Sequence, residues 1–221
     1  MIDETIARKQ IVEIGKRMHG QGMAPGQDGN ISIRLSENEV LITPSRVPKG
    51  YMNPFQLIKV DLSGRTLAGD LPPSVETPMH LAIYREMPEI HAGIHAHPIF
   101  TVALSMAGIK LSTKVLPEIS TIFGDDIPIA RYATPGTEEM GLVLIEPLKT
   151  SPVVIQARHG IFSAAKTLHD AWYKAEQIEA CAKLLYHAHM LGDVPELPAD
   201  EIIRLKALNK NIPETPEEIE G

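Results

Sequence analysis

The chain opens with apolar residues at helical spacing. Ile6, Ile11, Ile14 and Met18 predict an amphipathic helix over Asp3 to Met23, stopped by Gly20 and Gly22. After a glycine-bearing turn the period shortens to two. Ile31, Ile33 and Leu35, followed by Val40 to Thr43, predict antiparallel strands, and Val60 to Leu67 continues the pattern around a hairpin turn at Asp61-Leu62-Ser63-Gly64-Arg65. Thr77-Pro78 reads as an N-cap and first helical residue, opening a helix to about Glu86 that buries Met79, Ile83 and Met87. Residues 92–97 predict a short buried strand ended by Pro98. A helix from about Phe100 to Gly108 follows, then irregular sequence to Gly124 and short strands near Ile127 to Tyr132 and Val153 to Ala157. A long helix from Thr167 to Leu191 and a shorter one near Asp200 to Leu208 complete the pattern. No internal repeat is present, and residues 1–212 read as a single domain.

The last residues, Pro213 to Gly221, carry Glu214, Glu217, Glu218 and Glu220 and read as a solvated acidic tail. With 221 residues, 43% of them hydrophobic, the chain can build one sizeable core. A formal net charge of −7 argues against a nucleic-acid or anionic-membrane binder and leaves a small molecule as the expected partner. Cys181 is the only cysteine, so a disulfide or thiolate cluster within the chain is excluded and a metal would have to rest on histidine and carboxylate. With no secretory signal and no membrane-length apolar run, the expected location is the cytoplasm.

Candidate chemistry concentrates in a few residues. His95 and His97 sit two apart in Gly93-Ile94-His95-Ala96-His97-Pro98. On a strand that spacing puts both imidazoles on one face, with Cα atoms roughly 6.5 Å apart, so they can converge on one cation. His187 and His189 have the same spacing but fall within the long predicted helix, where the rings would splay, and read as surface or packing residues. His159, before Gly160, and Glu76, just before a predicted helix, are the further candidates for a divalent-metal site with a carboxylate beside it. Imidazole suits Zn²⁺, with Mn²⁺, Co²⁺ or Fe²⁺ open by ligand type.

At this point the chain resembles the class II aldolase and adducin family, which includes L-fuculose-1-phosphate aldolase, L-ribulose-5-phosphate 4-epimerase and the adducin head domain. The resemblance rests on Gly29-Asn30-Ile31-Ser32, Thr43-Pro44-Ser45, Pro73-Ser74-Val75-Glu76, His95-Ala96-His97-Pro98, Tyr132-Ala133-Thr134-Pro135-Gly136-Thr137 and His159-Gly160, in the family's order and spacing over about residues 3–192. It implies an α/β fold, a three-layer α/β/α sandwich around a largely antiparallel sheet, and a homotetramer with sites between subunits. It implies zinc on His95, His97 and His159, with Glu76 as fourth ligand and proton-transfer group. Glu at position 76, where epimerases of the family have Asp, favours the lyases.

Gly29, Asn30, Ser45 and Ser74 are the matching candidates for a substrate phosphate, through backbone N–H groups and hydroxyls. Arg46 stands where the phosphate-binding aldolases have Gly and could fork onto a phosphate or a carboxylate. Val75 replaces a serine. The aldolase tyrosine that protonates from a neighbouring subunit has no match between Ile109 and Gly124, which leaves Glu118 as the candidate proton donor. The leading expectation is a metal-dependent carbon–carbon lyase performing reversible aldol cleavage of a small phosphorylated ketose through a metal-stabilised enediolate. The alternatives are decarboxylation of a keto-acid phosphate or dihydroxyaromatic acid on the same fold, 4-epimerisation, and a non-enzymatic adducin-like assembly domain.

Overall fold

The computed structural model describes residues 2–124 and 126–209, so the acidic tail lies outside the described residues. In chain order the elements are α1 (Glu4–Gly20), β1 (Asn30–Arg34), β2 (Glu39–Ile42), β3 (Ile58–Asp61), β4 (Thr66–Ala68), α2 (Thr77–Glu86), β5 (Ala92–Ala96), α3 (Ile99–Met106), α4 (Pro117–Phe123), β6 (Ile129–Ala130), α5 (Glu138–Leu148), β7 (Val153–Gln156), β8 (Gly160–Ala165), α6 (Leu168–Leu191) and α7 (Ala199–Asn209). Among the described residues the strands form one sheet in the order β4-β3-β2-β1-β5-β8-β7-β6. Every pairing is antiparallel except β6 with β7.

The two faces of the central strands divide by alternation. Ile31 and Ile33 of β1, Ala92, Ile94 and Ala96 of β5 and Ile161 of β8 join Trp172 and Ile178 of α6 and Ile11 and Ile14 of α1 in one buried cluster. Phe162 and Ala164 of β8 and Val154 of β7 face the other way, against Met79 and Ile83 of α2 and Met140 and Leu144 of α5. Helices therefore cover both faces, the expected three-layer sandwich. Each large apolar side chain so enclosed contributes about 1.5–3 kcal/mol relative to exposure. Within the second helical layer α2 and α5 pack closely: a Cβ on Gly141 would lie 2.6 Å from the Met79 carbonyl oxygen and 2.7 Å from Ala82 Cβ.

The expected elements appear with small boundary shifts, and three readings are corrected. Thr77 is the first residue of α2, with Glu76 in the cap position and Pro78 in the first turn. The stretch expected to be irregular before Gly124 contains α4, which Pro117 opens. The strand expected over Ile127 to Tyr132 is reduced to Ile129–Ala130. Two elements were not anticipated. Gly141 and Pro147 interrupt the apolar pattern of α5, and β8, with the small residues Gly160, Ser163, Ala164 and Ala165, lacks the β-branched signature of a strand. His187 and His189 are exposed on α6, as the helical reading required.

A candidate metal and substrate site

The sheet delivers the histidines. His95 is fully buried on β5, and His97 follows the strand, its backbone N–H donating to the Met23 carbonyl at 2.8 Å. Directly after it, the first N–H groups of α3 at Phe100 and Thr101 donate to the Glu179 carboxylate of α6, which fixes the exit of the histidine strand. His159 arrives from the opposite side, on the three-residue turn between β7 and β8, with Arg158 before it in the left-handed region at φ 60°. Gly160 lets that turn come close. A Cβ there would collide with the Ala96 carbonyl and lie 3.0 Å from both the His95 and His97 rings.

One ligand atom from each of His95, His97 and His159 lies within 4.8 Å of the others. Two of the rings are locked from behind. His95 Nδ1 donates to the Ile161 carbonyl at 2.9 Å, and His97 Nδ1 lies 3.3 Å from the Asp28 carboxylate, so both Nε2 atoms point lone pairs inward, 2.8 Å apart. Two lone pairs at that distance repel unless a cation sits between them. Burial holds His95 far below its ordinary pKa and lowers His97, while burial and the neighbouring His97 bring His159 down to about 4. Neutral, converging imidazoles fit a divalent ion.

Glu76 completes the floor of the site. It lies in the cap position of α2 but does not cap that helix, so its carboxylate is released toward the histidines. Oε2 accepts from Asn30 Nδ2 at 2.6 Å and lies 3.2 Å from His95 Nε2. Oε1 lies 3.6 Å from His159 Nε2 and is buried without a hydrogen-bond partner. Burial raises the carboxyl above its usual range, with the Asn30 hydrogen bond pulling the other way.

Above this floor opens a cavity of about 500 Å³, lined by Gly29, Asn30, Ser45, Arg46, Ser74, Glu76, His97 and His159 among others. The sequence-predicted substrate residues are thus brought together, with two refinements. Asn30 spends its side chain on Glu76 and His80. Ser45 spends its backbone N–H on Pro72, leaving its hydroxyl for a ligand. Arg46 sits exposed on the cavity wall at φ 58°, a left-handed conformation that glycine adopts more readily than arginine. Glu118 is not brought to this cavity and lies exposed on α4.

Three residues that sequence reasoning left without a role belong here. Asp28 backs His97. Lys49 is almost wholly buried at the cavity, and its Nζ donates to the Gln27 and Val47 carbonyls at 3.2 and 2.8 Å, tying the loop of Asp28 to the loop of Arg46. Burial brings its pKa down to about 8, against the pull of Asp28 and Glu76. His80 lies behind Asn30. Its position four residues after Glu76, on the same helical stripe, was the signal that could have found it.

The chain's similarities follow the same pattern. Residues 9–186 match the family described as Class II Aldolase and Adducin N-terminal domain. The 5-deoxy-D-ribulose 1-phosphate aldolase of Bacillus thuringiensis is 31% identical over 202 residues, 90% of this chain and 92% of that protein. The 3-oxo-tetronate 4-phosphate decarboxylase of Pectobacterium atrosepticum is 32% identical over 207 residues, 91% and 93% of the two chains. A solved L-fuculose 1-phosphate aldolase superposes with a TM-score of 0.83 at 28% identity, over 92% of this chain and 96% of that one. By the match of its sequence, and in keeping with its fold, the chain belongs to the class II aldolase and adducin family.

Proposed function

We propose that this protein is a metal-dependent carbon–carbon lyase that cleaves a small phosphorylated ketose by reversible aldol chemistry. The observation that carries the reading is Glu76: a buried carboxylate with one unpartnered oxygen, beside three converging neutral imidazoles at the floor of an open cavity. His95, His97 and His159 would hold a divalent cation, zinc by ligand type, which would supply Lewis-acid stabilisation of the oxygen charge that builds as the bond breaks. The residues around it do the rest. Asp28 and the Ile161 carbonyl keep the imidazoles in one tautomer, and the raised pKa of Glu76 suits a group that takes and returns a proton. Ser45 and Ser74 offer hydroxyls, and Arg46 and Lys49 bring positive charge to the cavity for the substrate's anionic end.

The reading includes a cytoplasmic homotetramer with sites between subunits. Exposure of Tyr51, Phe55 and Val75, the last on the cavity wall, supports an apolar contact there. Glu118 enters as proton donor only through that assembly, because within one subunit it stands apart from the cavity.

Decarboxylation is the second reading, favoured by Arg46. A guanidinium held on the cavity wall at a position that suits glycine is placed to grip a carboxylate as readily as a phosphate. The deciding experiment is deuterium incorporation into dihydroxyacetone phosphate in heavy water, followed by NMR, with zinc-loaded, chelator-stripped and Glu76→Gln proteins. Aldol chemistry gives metal-dependent exchange that falls by about 10²-fold or more in Glu76→Gln. Absence of exchange with full metal occupancy would transfer the assignment to decarboxylation.

A further inference from the structure

A chain of hydrogen bonds runs through the α2 face of the sheet and ends on Glu76. Glu76, His80 and Tyr84 are spaced by four along the start and body of α2, so they share one stripe, and Asn30 and Ser32 of β1 face it. Tyr84 OH lies 2.7 Å from Ser32 Oγ, and Ser32 Oγ lies 2.6 Å from His80 Nδ1. His80 Nε2 lies 2.5 Å from Asn30 Oδ1, and Asn30 Nδ2 lies 2.6 Å from Glu76 Oε2. All five residues are buried.

The direction of this chain follows from its last member. An ionised carboxylate only accepts, so Asn30 must turn its NH₂ toward Glu76 and its carbonyl oxygen toward His80. That oxygen also only accepts, so the hydrogen of the neutral imidazole sits on Nε2. Nδ1 is then an acceptor, filled by the Ser32 hydroxyl, which in turn accepts from Tyr84. The opposite tautomer would flip Asn30 and set two oxygen acceptors 2.6 Å apart in a dry interior.

We propose that His80 is a positioning residue for Glu76: its Nε2–H orients the Asn30 amide, which holds Oε2 as an acceptor and leaves Oε1 as the oxygen that exchanges the substrate proton. The proposal rests on the aldolase reading for the identity of the proton. In that step the C–H bond of the substrate's hydroxymethyl carbon breaks and its electron pair becomes the C=C bond of the enediolate. The carbonyl π pair moves to oxygen, and the proton forms an O–H bond at Oε1. Return of a deuteron from heavy water reverses each change. Oε1 is suited to this because nothing else in the described residues hydrogen-bonds it.

The test pairs kinetics with a measurement that needs no turnover. His80→Phe keeps an aromatic ring and removes both hydrogen bonds, whereas His80→Gln keeps a donor at the ε position. For deuterium exchange into dihydroxyacetone phosphate, His80→Phe should lower kcat about tenfold or more with KM changed by less than about twofold, and His80→Gln should recover most of the loss. In an Asn30→Ala background His80→Phe should lower kcat no further. Equal losses in the two His80 variants, or additive losses with Asn30→Ala, would overturn the proposal. Independently, ¹⁵N spectra of histidine-labelled wild-type protein should show His80 as the Nε2–H tautomer, and the Glu76 carboxyl ¹³C signal should move in whichever His80 variant folds. The Nδ1–H tautomer, or an unmoved signal, would reject the assignment. If wild-type protein fails to exchange dihydroxyacetone phosphate, the aldolase reading falls while the spectra still decide the role of His80.

Discussion

His80 is fully buried and its ring nitrogens meet only neutral groups, Ser32 Oγ and Asn30 Oδ1, so it stays neutral in the folded protein. Burial brings its pKa from 6.5 down to about 3. As pH falls below 6.5 the unfolded chain binds a proton that the folded chain refuses, and stability drops by up to about 1.4 kcal/mol per pH unit on account of this one group. The loss runs from pH 6.5 down toward the folded pKa near 3, and none of it is present above 6.5. Urea titrations of chelator-stripped protein at pH 7, 6 and 5 should therefore show a shallower decline for His80→Gln than for wild type; parallel declines would contradict the burial of an uncharged ring. The residues legible in the sequence were those whose spacing carries their chemistry, His95 and His97 foremost. Lys49 was hidden because a lysine before glycine in a turn reads as solvated, and only the fold reveals that it is enclosed. Asp28 was hidden because its partner His97 is sixty-nine positions away, 97 minus 28.

Among elements, β5 and β8 matter most, since their pairing sets the distance between His95 and the turn that carries His159. Gly160 is the tight point of that pairing. Gly160→Ala should push the turn away from the Ala96 carbonyl, cost about 1–3 kcal/mol as overpacked sites do, and lower bound metal per chain more than it lowers helix content. Unchanged metal stoichiometry by elemental analysis would mean that the turn accommodates the methyl without moving His159. β5 was legible because a polar pair interrupts an apolar run at strand spacing. β8 was not, because its alanines and serine make a strand only by filling the narrow space beneath α2 and α6, which is tertiary information. α5 was obscured for the same reason: Gly141, a poor helix former, is what the close contact with α2 requires.

For the molecule as a whole, the proposed metal site would link metal binding to folding. If the three converging imidazoles hold the proposed cation more tightly than the unfolded chain does, zinc at about a hundredfold excess over its Kd should add about 2.7 kcal/mol of stability, read as a rise in Tm over chelator-stripped protein. His95→Ala should lose most of both the rise and the bound metal; a full rise in that variant would reject His95 as a ligand. The layered architecture and the antiparallel sheet were legible from alternation, hairpin turns and the family resemblance together, and no helix among the described residues is long and apolar enough to cross a membrane.

The site's parts are scattered along the chain, at Asn30, Glu76, His95, His97 and His159, and meet only where β1, β5 and β8 lie side by side. In a zinc finger the donors are near neighbours in sequence and the ion can gather a loose chain around itself. Here a cation meeting the nascent polypeptide would find histidine pairs, His95 with His97 and His187 with His189, while His159 lies far along the chain from His97. For a metal held as proposed, the consequence is an order of events: the sheet closes first, with its apolar faces as the driving force, and the ion would meet a site that the fold has already shaped.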